Sequence, residues 1–167
     1  MTEETFIKPD RETKDETKAG SYFVSNYPPF SLWNEKDVSC LPSMLNSPSP
    51  GPAPMGLYYH VPFCRKRCHF CYFRVYTDKN SNDVRRYLSA TMKELRAYAD
   101  SPYLKGRKPK FVYFGGGTPS YLSAQQLTQL TDEMKSILPW DEAEEVTFEC
   151  EPGTLSEKKL EAIKNFG

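Results

Sequence analysis

The sequence has little of what marks several large classes of protein. No run approaches the ~18 apolar residues of a membrane-spanning helix, and the N-terminus lacks the apolar core of a secretory signal. Basic and acidic residues number 22 each, so the basic excess that is typical of nucleic-acid binding is missing. Five cysteines, an odd number without an export signal, argue against a disulfide framework. We therefore expect a cytoplasmic protein that binds neither a membrane nor nucleic acid.

Three segments of the chain differ in composition. Residues 1–20 are charged, have almost no aliphatic side chains and show no periodicity, which predicts a disordered tail. Residues 21–56 contain large aromatic side chains without regular spacing and end in a run rich in serine and proline. We interpret them as an irregular arm that packs across the following domain, with an extended linker at its end. Residues 57–167 carry regular patterns and should form the folded domain.

Residues 57–167 repeat one order of elements three times. Short, mostly apolar runs predict three strands: Leu57–Val61, Lys110–Phe114 and Val146–Cys150. Apolar side chains at helical spacing predict a helix after each: residues 81–100, a helix from Ser123 and a helix from Ser156. The order βαβαβα predicts an α/β fold with a parallel sheet, whose second strand should be covered on both faces. The loops after the strands should meet at one edge, where α/β barrels carry their active sites.

Capping signals mark the starts of the last two helices. Ser123 followed by Gln126 is a capping box, in which each side chain bonds the other residue's backbone N–H. Ser156 is expected to cap the last helix, with Leu155 and Leu160 at the positions of a hydrophobic staple.

A cysteine motif follows the first strand. Cys64, Cys68 and Cys71 have the spacing Cys-x3-Cys-x2-Cys, which lets three thiolates converge from one loop onto one metal centre. An ordinary iron–sulfur cluster takes four protein thiolates, so three leave one iron open to a substrate or cofactor. The alternative is a zinc-binding interaction module in which His60 or His69 is the fourth ligand.

Three cationic residues, Arg65, Lys66 and Arg67, separate the first two cysteines. Their positive charge would favour thiolates over thiols and could steer an anionic substrate. The alternative is an ordinary solvated loop.

The cysteine motif, together with Tyr58 and the run His60–Phe63 before it, resembles the radical S-adenosylmethionine (SAM) superfamily. The motif and the residues before it are similar to those of the oxygen-independent coproporphyrinogen III oxidases and haem chaperones. The resemblance implies that the chain forms the N-terminal βαβαβα portion of a partial (β/α)6 TIM-like barrel. It also implies that the three cysteines bind a [4Fe–4S] cluster, and that SAM chelates the fourth iron. An electron donor such as flavodoxin or ferredoxin would then support formation of a 5′-deoxyadenosyl radical.

Two further motifs extend the resemblance. Gly116, Gly117 and Thr118 follow the second strand and are similar to the Gly-Gly-Gly-Thr-Pro element, whose backbone binds the SAM amino group; by itself the run could be a tight turn. Glu149 begins a Glu-x-x-Pro motif, where the family's glutamate accepts a hydrogen bond from SAM. Alternation along a strand would place Glu151 on the same face as Glu149 and turn Cys150 to the opposite face.

The resemblance gives roles to two aromatic residues as well. Tyr58 corresponds to a tyrosine that contacts SAM near the cluster, although core packing is the alternative. Phe70 corresponds to an aromatic residue placed against the adenine, although packing within the loop is the alternative.

The resemblance implies an enzyme that acts on a small molecule, with a tetrapyrrole as the expected substrate. Phe73 stands where the oxidases carry a fourth cysteine, so a haem chaperone, which binds rather than converts, and a radical C-methyltransferase are alternatives. Three βα units cannot close a barrel. We therefore expect either an N-terminal part of a longer enzyme or a truncated product, inactive by itself.

Overall fold

The computed structural model describes residues 34–71 and 73–167, and the chain divides into two compact units, Met1–Cys40 and Leu41–Gly167. In the first unit a single-turn helix, α1 (Glu35–Val38), begins after Asn34, whose side chain accepts a hydrogen bond from the Lys36 backbone N–H. The tail predicted for residues 1–20 and the aromatic part of the arm lie outside the described residues. The segment boundaries proposed from the sequence stay predictions.

The second unit contains the remaining elements. In chain order they are α2 (Leu41–Leu45), β1 (Gly56–Val61), α3 (Ser81–Ala99), β2 (Phe111–Gly116), α4 (Ala124–Ile137), β3 (Glu145–Phe148) and α5 (Glu157–Asn165). Short 3₁₀ turns at Pro119–Tyr121 and Pro152–Thr154 follow the second and third strands. The predicted βαβαβα order is confirmed, with strand ends shifted by one or two residues.

The described strands form one parallel sheet in the order β1-β2-β3. Tyr59, Val61, Val112 and Phe114 face the helices, and they share one core with buried side chains of α3, α4 and α5. Phe114 is fully buried at its centre, with its ring 5.4 Å from that of Phe148. Burying a side chain of this size stabilises the fold by about 1.5–3 kcal/mol.

The expectation that the second strand is covered on both faces is wrong for the described residues. Phe111, which alternates with Val112, is 49% exposed. The reason is topological, because all three helices that follow the strands contribute to the core on one face of the sheet. Tyr58, His60 and Tyr113 share the other face with Phe111.

The capping box predicted for α4 is confirmed. Ser123 Oγ accepts a hydrogen bond from the Gln126 N–H at 3.1 Å, and the Gln126 side chain accepts one from the Ser123 N–H at 2.9 Å. The prediction for α5 is only half right, because Ser156 occupies the N-cap position but its side chain makes no capping bond. Leu160, at one of the two staple positions, is half exposed.

No helix within residues 34–71 and 73–167 is long and apolar enough to cross a membrane.

Replacing Ser123 by alanine is expected to lower the free energy of unfolding by about 1 kcal/mol, because a backbone N–H at the start of α4 loses its partner. Ser156→Ala is the matched control, since that serine occupies an N-cap position without a side-chain bond. Ser156→Ala should lower the free energy of unfolding by less than about 0.5 kcal/mol. Urea unfolding followed by far-UV circular dichroism measures both, and equal losses would contradict the assigned difference between the caps.

Candidate functional site

The loops that follow the three strands line one cavity with a volume of about 980 Å³. The cysteine loop after β1, the glycine turn after β2 and the segment after β3 all contribute to its wall. Parallel strands bring their C-terminal ends to the same edge, so three motifs far apart in sequence become neighbours.

The cysteine loop is anchored at its base. The Cys64 N–H donates to the Tyr76 carbonyl at 3.0 Å, and the Tyr76 N–H donates to the Pro62 carbonyl at 2.9 Å. These bonds join the two ends of the loop at residues 64 and 76. They also hold Cys64 in a buried position at the base of the loop.

The other two cysteines lie further along the loop. Cys68 is exposed and Cys71 is half-buried, and the Cys71 N–H donates to the Cys68 carbonyl in a tight turn. All three thiols line the cavity. Within the described ranges, no three cysteine, histidine or acidic side chains approach closely enough to share a metal ion. The fold thus collects the three thiols at one cavity without bringing their sulfur atoms to one point.

The glycine turn packs directly against the base of the cysteine loop. The Gly117 N–H donates to the Val61 carbonyl at 2.8 Å. A Cβ atom at Gly117 would lie 2.9 Å from both Cys64 Sγ and the Phe63 carbonyl oxygen, a distance that real Cβ atoms do not show. Gly116 has a φ of +113°, which other residues adopt only with strain. The glycines are therefore required by the approach of the two loops.

Thr118 links the two motifs through its side chain. Its hydroxyl is buried and donates a hydrogen bond to Cys64 Sγ at 3.3 Å. A hydrogen-bond donor at this place is compatible with a thiolate, the form of cysteine that binds metals.

Glu149 lies just after β3 and lines the same cavity. Its backbone N–H donates to the Phe114 carbonyl at 3.0 Å, which extends the β2–β3 pairing by one residue. The Tyr113 hydroxyl donates to Glu149 Oε1 at 2.6 Å, and this bond to a carboxylate is the main cause that raises the pKa of Tyr113 to about 12. One Glu149 oxygen is thereby oriented by the neighbouring strand.

Tyr58 and Gly116 do not line this cavity. The Tyr58 hydroxyl is hydrogen-bonded to His60 Nδ1 at 2.8 Å, and its ring centroid lies 6.0 Å from that of Tyr113. Burial, and secondarily the charge of Glu149, raises the pKa of Tyr58. Tyr58 is thus electrostatically linked to the Glu149 side of the site.

Phe70 is 75% exposed at the rim of the cavity, with its ring edge-on to His69 at 5.1 Å. Of the nine residues proposed from the sequence, the structure therefore brings together seven: Cys64, Cys68, Phe70, Cys71, Gly117, Thr118 and Glu149.

The expectation that Cys150 turns away and packs as a small apolar residue is wrong. Cys150 is exposed and lines the same cavity as Glu149 and Glu151. The physical reason is that β3 ends at Phe148, so the alternation of faces along a strand does not extend to residues 149–151. Partial burial raises the pKa of the Cys150 thiol.

Arg65, Lys66 and Arg67 are exposed and all line the cavity. The Arg65 guanidinium donates to the Gly153 carbonyl at 3.2 Å, a contact across 88 positions of sequence that joins the cysteine loop to the segment after β3. The cations thus contribute positive charge to a cavity that also carries Glu149 and Glu151.

Sequence reasoning missed the residues that support the site. Tyr113 orients Glu149, and Ser120, Thr154 and Lys159 bond the backbone of the loops behind the cavity. The alternation of side chains along β2 could have pointed to Tyr113, which lies two residues before Gly115 on the same face. Ser120 and Thr154 carry no signal in the sequence.

The side chains at the cavity fit the groups that the cysteine motif implies. Three thiols with cationic neighbours are suitable ligands for an iron–sulfur cluster. The same cavity also offers the backbone of Gly117, the carboxylate of Glu149 as a hydrogen-bond acceptor and the aromatic ring of Phe70.

The chain is similar to several known proteins. The heme chaperone HemW of Buchnera aphidicola is 32% identical over 114 residues, which are 68% of this chain and 30% of that protein. The oxygen-independent coproporphyrinogen III oxidase of Synechocystis is 29% identical over 145 residues, 86% of this chain and 31% of that protein. The solved structure of the Escherichia coli coproporphyrinogen III oxidase HemN, a radical SAM enzyme, matches 87% of this chain and 33% of that chain, with a TM-score of 0.69 and 26% identity.

The chain thus spans about 30% of the length of the first of these relatives. Its parallel α/β fold corresponds to part of the TIM-like barrel of HemN, as the sequence predicted. The profile of the Radical SAM superfamily matches residues 58–167, which include the cysteine loop, the glycine turn and Glu149. The chain belongs to the radical SAM superfamily.

Proposed function

We propose that this chain carries the cluster- and SAM-binding part of a radical SAM enzyme similar to the coproporphyrinogen III oxidases. The observation that carries the proposal is the meeting of three motifs, the cysteine loop, the glycine turn and the Glu149 segment, on one cavity. When bound, the [4Fe–4S] cluster supplies the electron that cleaves SAM to methionine and a 5′-deoxyadenosyl radical.

In this proposal Cys64, Cys68 and Cys71 hold the cluster. Cys64 is the fixed ligand, because its backbone N–H is bonded to Tyr76 at the base of the loop and its sulfur accepts a hydrogen bond from Thr118 in the glycine turn. Cys68 and Cys71 lie on the more exposed part of the loop and adjust to the cluster as it binds.

SAM is held by residues on all three loops and on β1. The backbone of Gly116, Gly117 and Thr118 binds the amino group of SAM, and the Glu149 carboxylate accepts a hydrogen bond from SAM. The Tyr113 hydroxyl bonds one oxygen of Glu149 and leaves the other oxygen to accept from SAM. Phe70 packs against the adenine, and Tyr58 contacts SAM from the β1 side.

Replacing Cys68 by alanine is expected to abolish the visible absorbance of the reconstituted cluster and to lower iron from about four atoms per chain to fewer than about one. The reason is that a loop with two thiolates no longer provides the three ligands that the cluster needs. Anaerobic reconstitution followed by iron, sulfide and zinc analysis measures the change.

Cys40→Ala is the matched control, because Cys40 is exposed and lies outside the cavity. It should retain the full iron content. Zinc without iron or sulfide in the unaltered protein would refute the cluster and favour the zinc-binding interaction module.

Replacing Glu149 by glutamine is expected to weaken SAM binding about 10- to 100-fold while the cluster is retained. A hydrogen bond to a charged group contributes about 1.5–3 kcal/mol, and each 1.4 kcal/mol corresponds to about a factor of ten. Equilibrium dialysis of labelled SAM against the reconstituted protein measures the change.

Glu145→Gln is the control for Glu149. Glu145 lies at the opposite end of β3, where its carboxylate accepts from the Thr147 hydroxyl at 2.6 Å. Its replacement should leave the SAM dissociation constant within about twofold of the unaltered value. Equal weakening by both variants would argue against a specific role for Glu149.

We further propose a tetrapyrrole as the ligand of the whole protein and a flavodoxin- or ferredoxin-like electron donor as its partner. The relatives include both coproporphyrinogen oxidases and heme chaperones. Phe73 stands where the oxidases carry a fourth cysteine, so a haem chaperone or a C-methyltransferase is the second candidate.

Haem titration and a 5′-deoxyadenosine assay, both on the longest form of the protein, separate the candidates. Formation of 5′-deoxyadenosine with a tetrapyrrole substrate is the expected result for an enzyme. Tight haem binding without SAM cleavage would instead favour the chaperone.

A further inference from the structure

A ring of hydrogen bonds lies behind the cavity, between the two 3₁₀ turns that follow β2 and β3. The Glu151 N–H donates to Ser120 Oγ at 2.9 Å, Ser120 Oγ contacts Thr154 Oγ1 at 2.5 Å, and Thr154 Oγ1 donates to the Glu151 carbonyl at 2.7 Å. Ser120 and Thr154 are buried, with 0% and 4% of their surface exposed. The two hydroxyls thus join both backbone groups of Glu151 to the glycine-turn side of the site.

The direction of each bond in the ring can be assigned. Thr154 Oγ1 has a single proton, which it gives to the Glu151 carbonyl, so it must accept at its contact with Ser120. Ser120 Oγ therefore donates to Thr154 and accepts from the Glu151 N–H. Every donor is used. Removal of the Ser120 hydroxyl would leave the Glu151 N–H without its acceptor, and removal of the Thr154 hydroxyl would leave the buried Ser120 hydroxyl without its acceptor.

Two cations hold the backbone on either side of the ring. Lys159 Nζ donates to the Ser120 carbonyl at 2.6 Å and to the Thr154 carbonyl at 2.8 Å. Arg65 donates to the Gly153 carbonyl from the cysteine loop. Burial, and secondarily the charge of Arg65, lowers the pKa of Lys159. The turn at Pro152–Thr154 is therefore held by α5, by the cysteine loop and by the turn after β2.

We infer that Ser120 and Thr154 are positioning residues that set the spacing between the two SAM-binding loops. Ser120 lies two residues after Thr118, and Glu151 lies two residues after Glu149, so the ring joins the segments that carry these two groups. The inference rests on the proposed function, because Glu149 and the Gly117–Thr118 backbone must act on the same ligand. Without the ring, the segment that carries Glu149 could shift. The residues proposed to contact SAM would themselves be unchanged.

The test compares variants that remove a hydroxyl with variants that keep one. Ser120→Ala and Thr154→Val are expected to weaken SAM binding about tenfold, the equivalent of one lost hydrogen bond. Thr154→Ser keeps the hydroxyl and should bind as the unaltered protein does. SAM binding is measured without reductant, on the reconstituted full chain.

Thr131→Val is the control for general destabilisation. Thr131 is equally buried, but its hydroxyl donates to the Leu127 carbonyl within α4, away from the cavity. It should lower the free energy of unfolding as the ring variants do and leave SAM binding unchanged.

Hydrogen exchange of the Glu151 amide gives a readout that does not depend on SAM. It should become about tenfold faster in Ser120→Ala, because the amide loses its acceptor, and stay slow in Thr131→Val. Unchanged exchange in Ser120→Ala would overturn the ring itself.

Faster exchange with undiminished SAM binding would overturn the positioning role and leave the proposed function intact. Equal weakening of SAM binding by Thr131→Val would also overturn it, since loss of stability alone would explain the effect. Absence of SAM binding in the unaltered protein, with Glu151 exchange still slow, would refute the proposed function and with it this inference.

Discussion

The contact between Gly117 and the base of the cysteine loop is the constraint on which the site depends. Because Gly117 has no Cβ, its backbone can lie against Cys64 Sγ and the Phe63 carbonyl, and its N–H can bond Val61. The same contact brings Thr118 within hydrogen-bond distance of Cys64. A larger side chain would have to displace backbone as well as sulfur, and the cysteine loop would then separate from the second strand.

A second connection joins the middle strand to the third. The Glu149 N–H continues the pairing with Phe114 beyond the end of β3, and the Tyr113 hydroxyl holds the Glu149 carboxylate. Behind these bonds, Ser120 and Thr154 tie down the backbone of Glu151. In the order β1-β2-β3 the middle strand pairs with both neighbours. The positions of the loops after β1 and β3 are therefore both set by their contacts with β2 and its turn.

The two faces of the sheet have different chemistry. The face toward the helices is apolar and includes the fully buried Phe114. The other face has Tyr58, His60 and Tyr113, whose polar atoms are hydrogen-bonded to one another or to Glu149. Burial lowers the pKa of His60, while the charge of Glu149 opposes this effect. This face therefore places hydrogen-bonding aromatic groups next to the loops that carry the cysteines and Glu149.

The order of elements, the capping of α4 and the three motifs that line the cavity were predictable from the amino-acid sequence, because periodicity, capping pairs and cysteine spacing are local properties of the chain. Other features depend on how distant segments of the chain pack together. Cys150 faces the cavity because β3 ends at Phe148, and Phe111 is exposed because the helices share one face of the sheet. The partners of Glu149 and Glu151, Tyr113 and Ser120, lie 36 and 31 positions away in the chain. No local pattern encodes such pairs, because they form only when parallel strands bring distant turns to one edge.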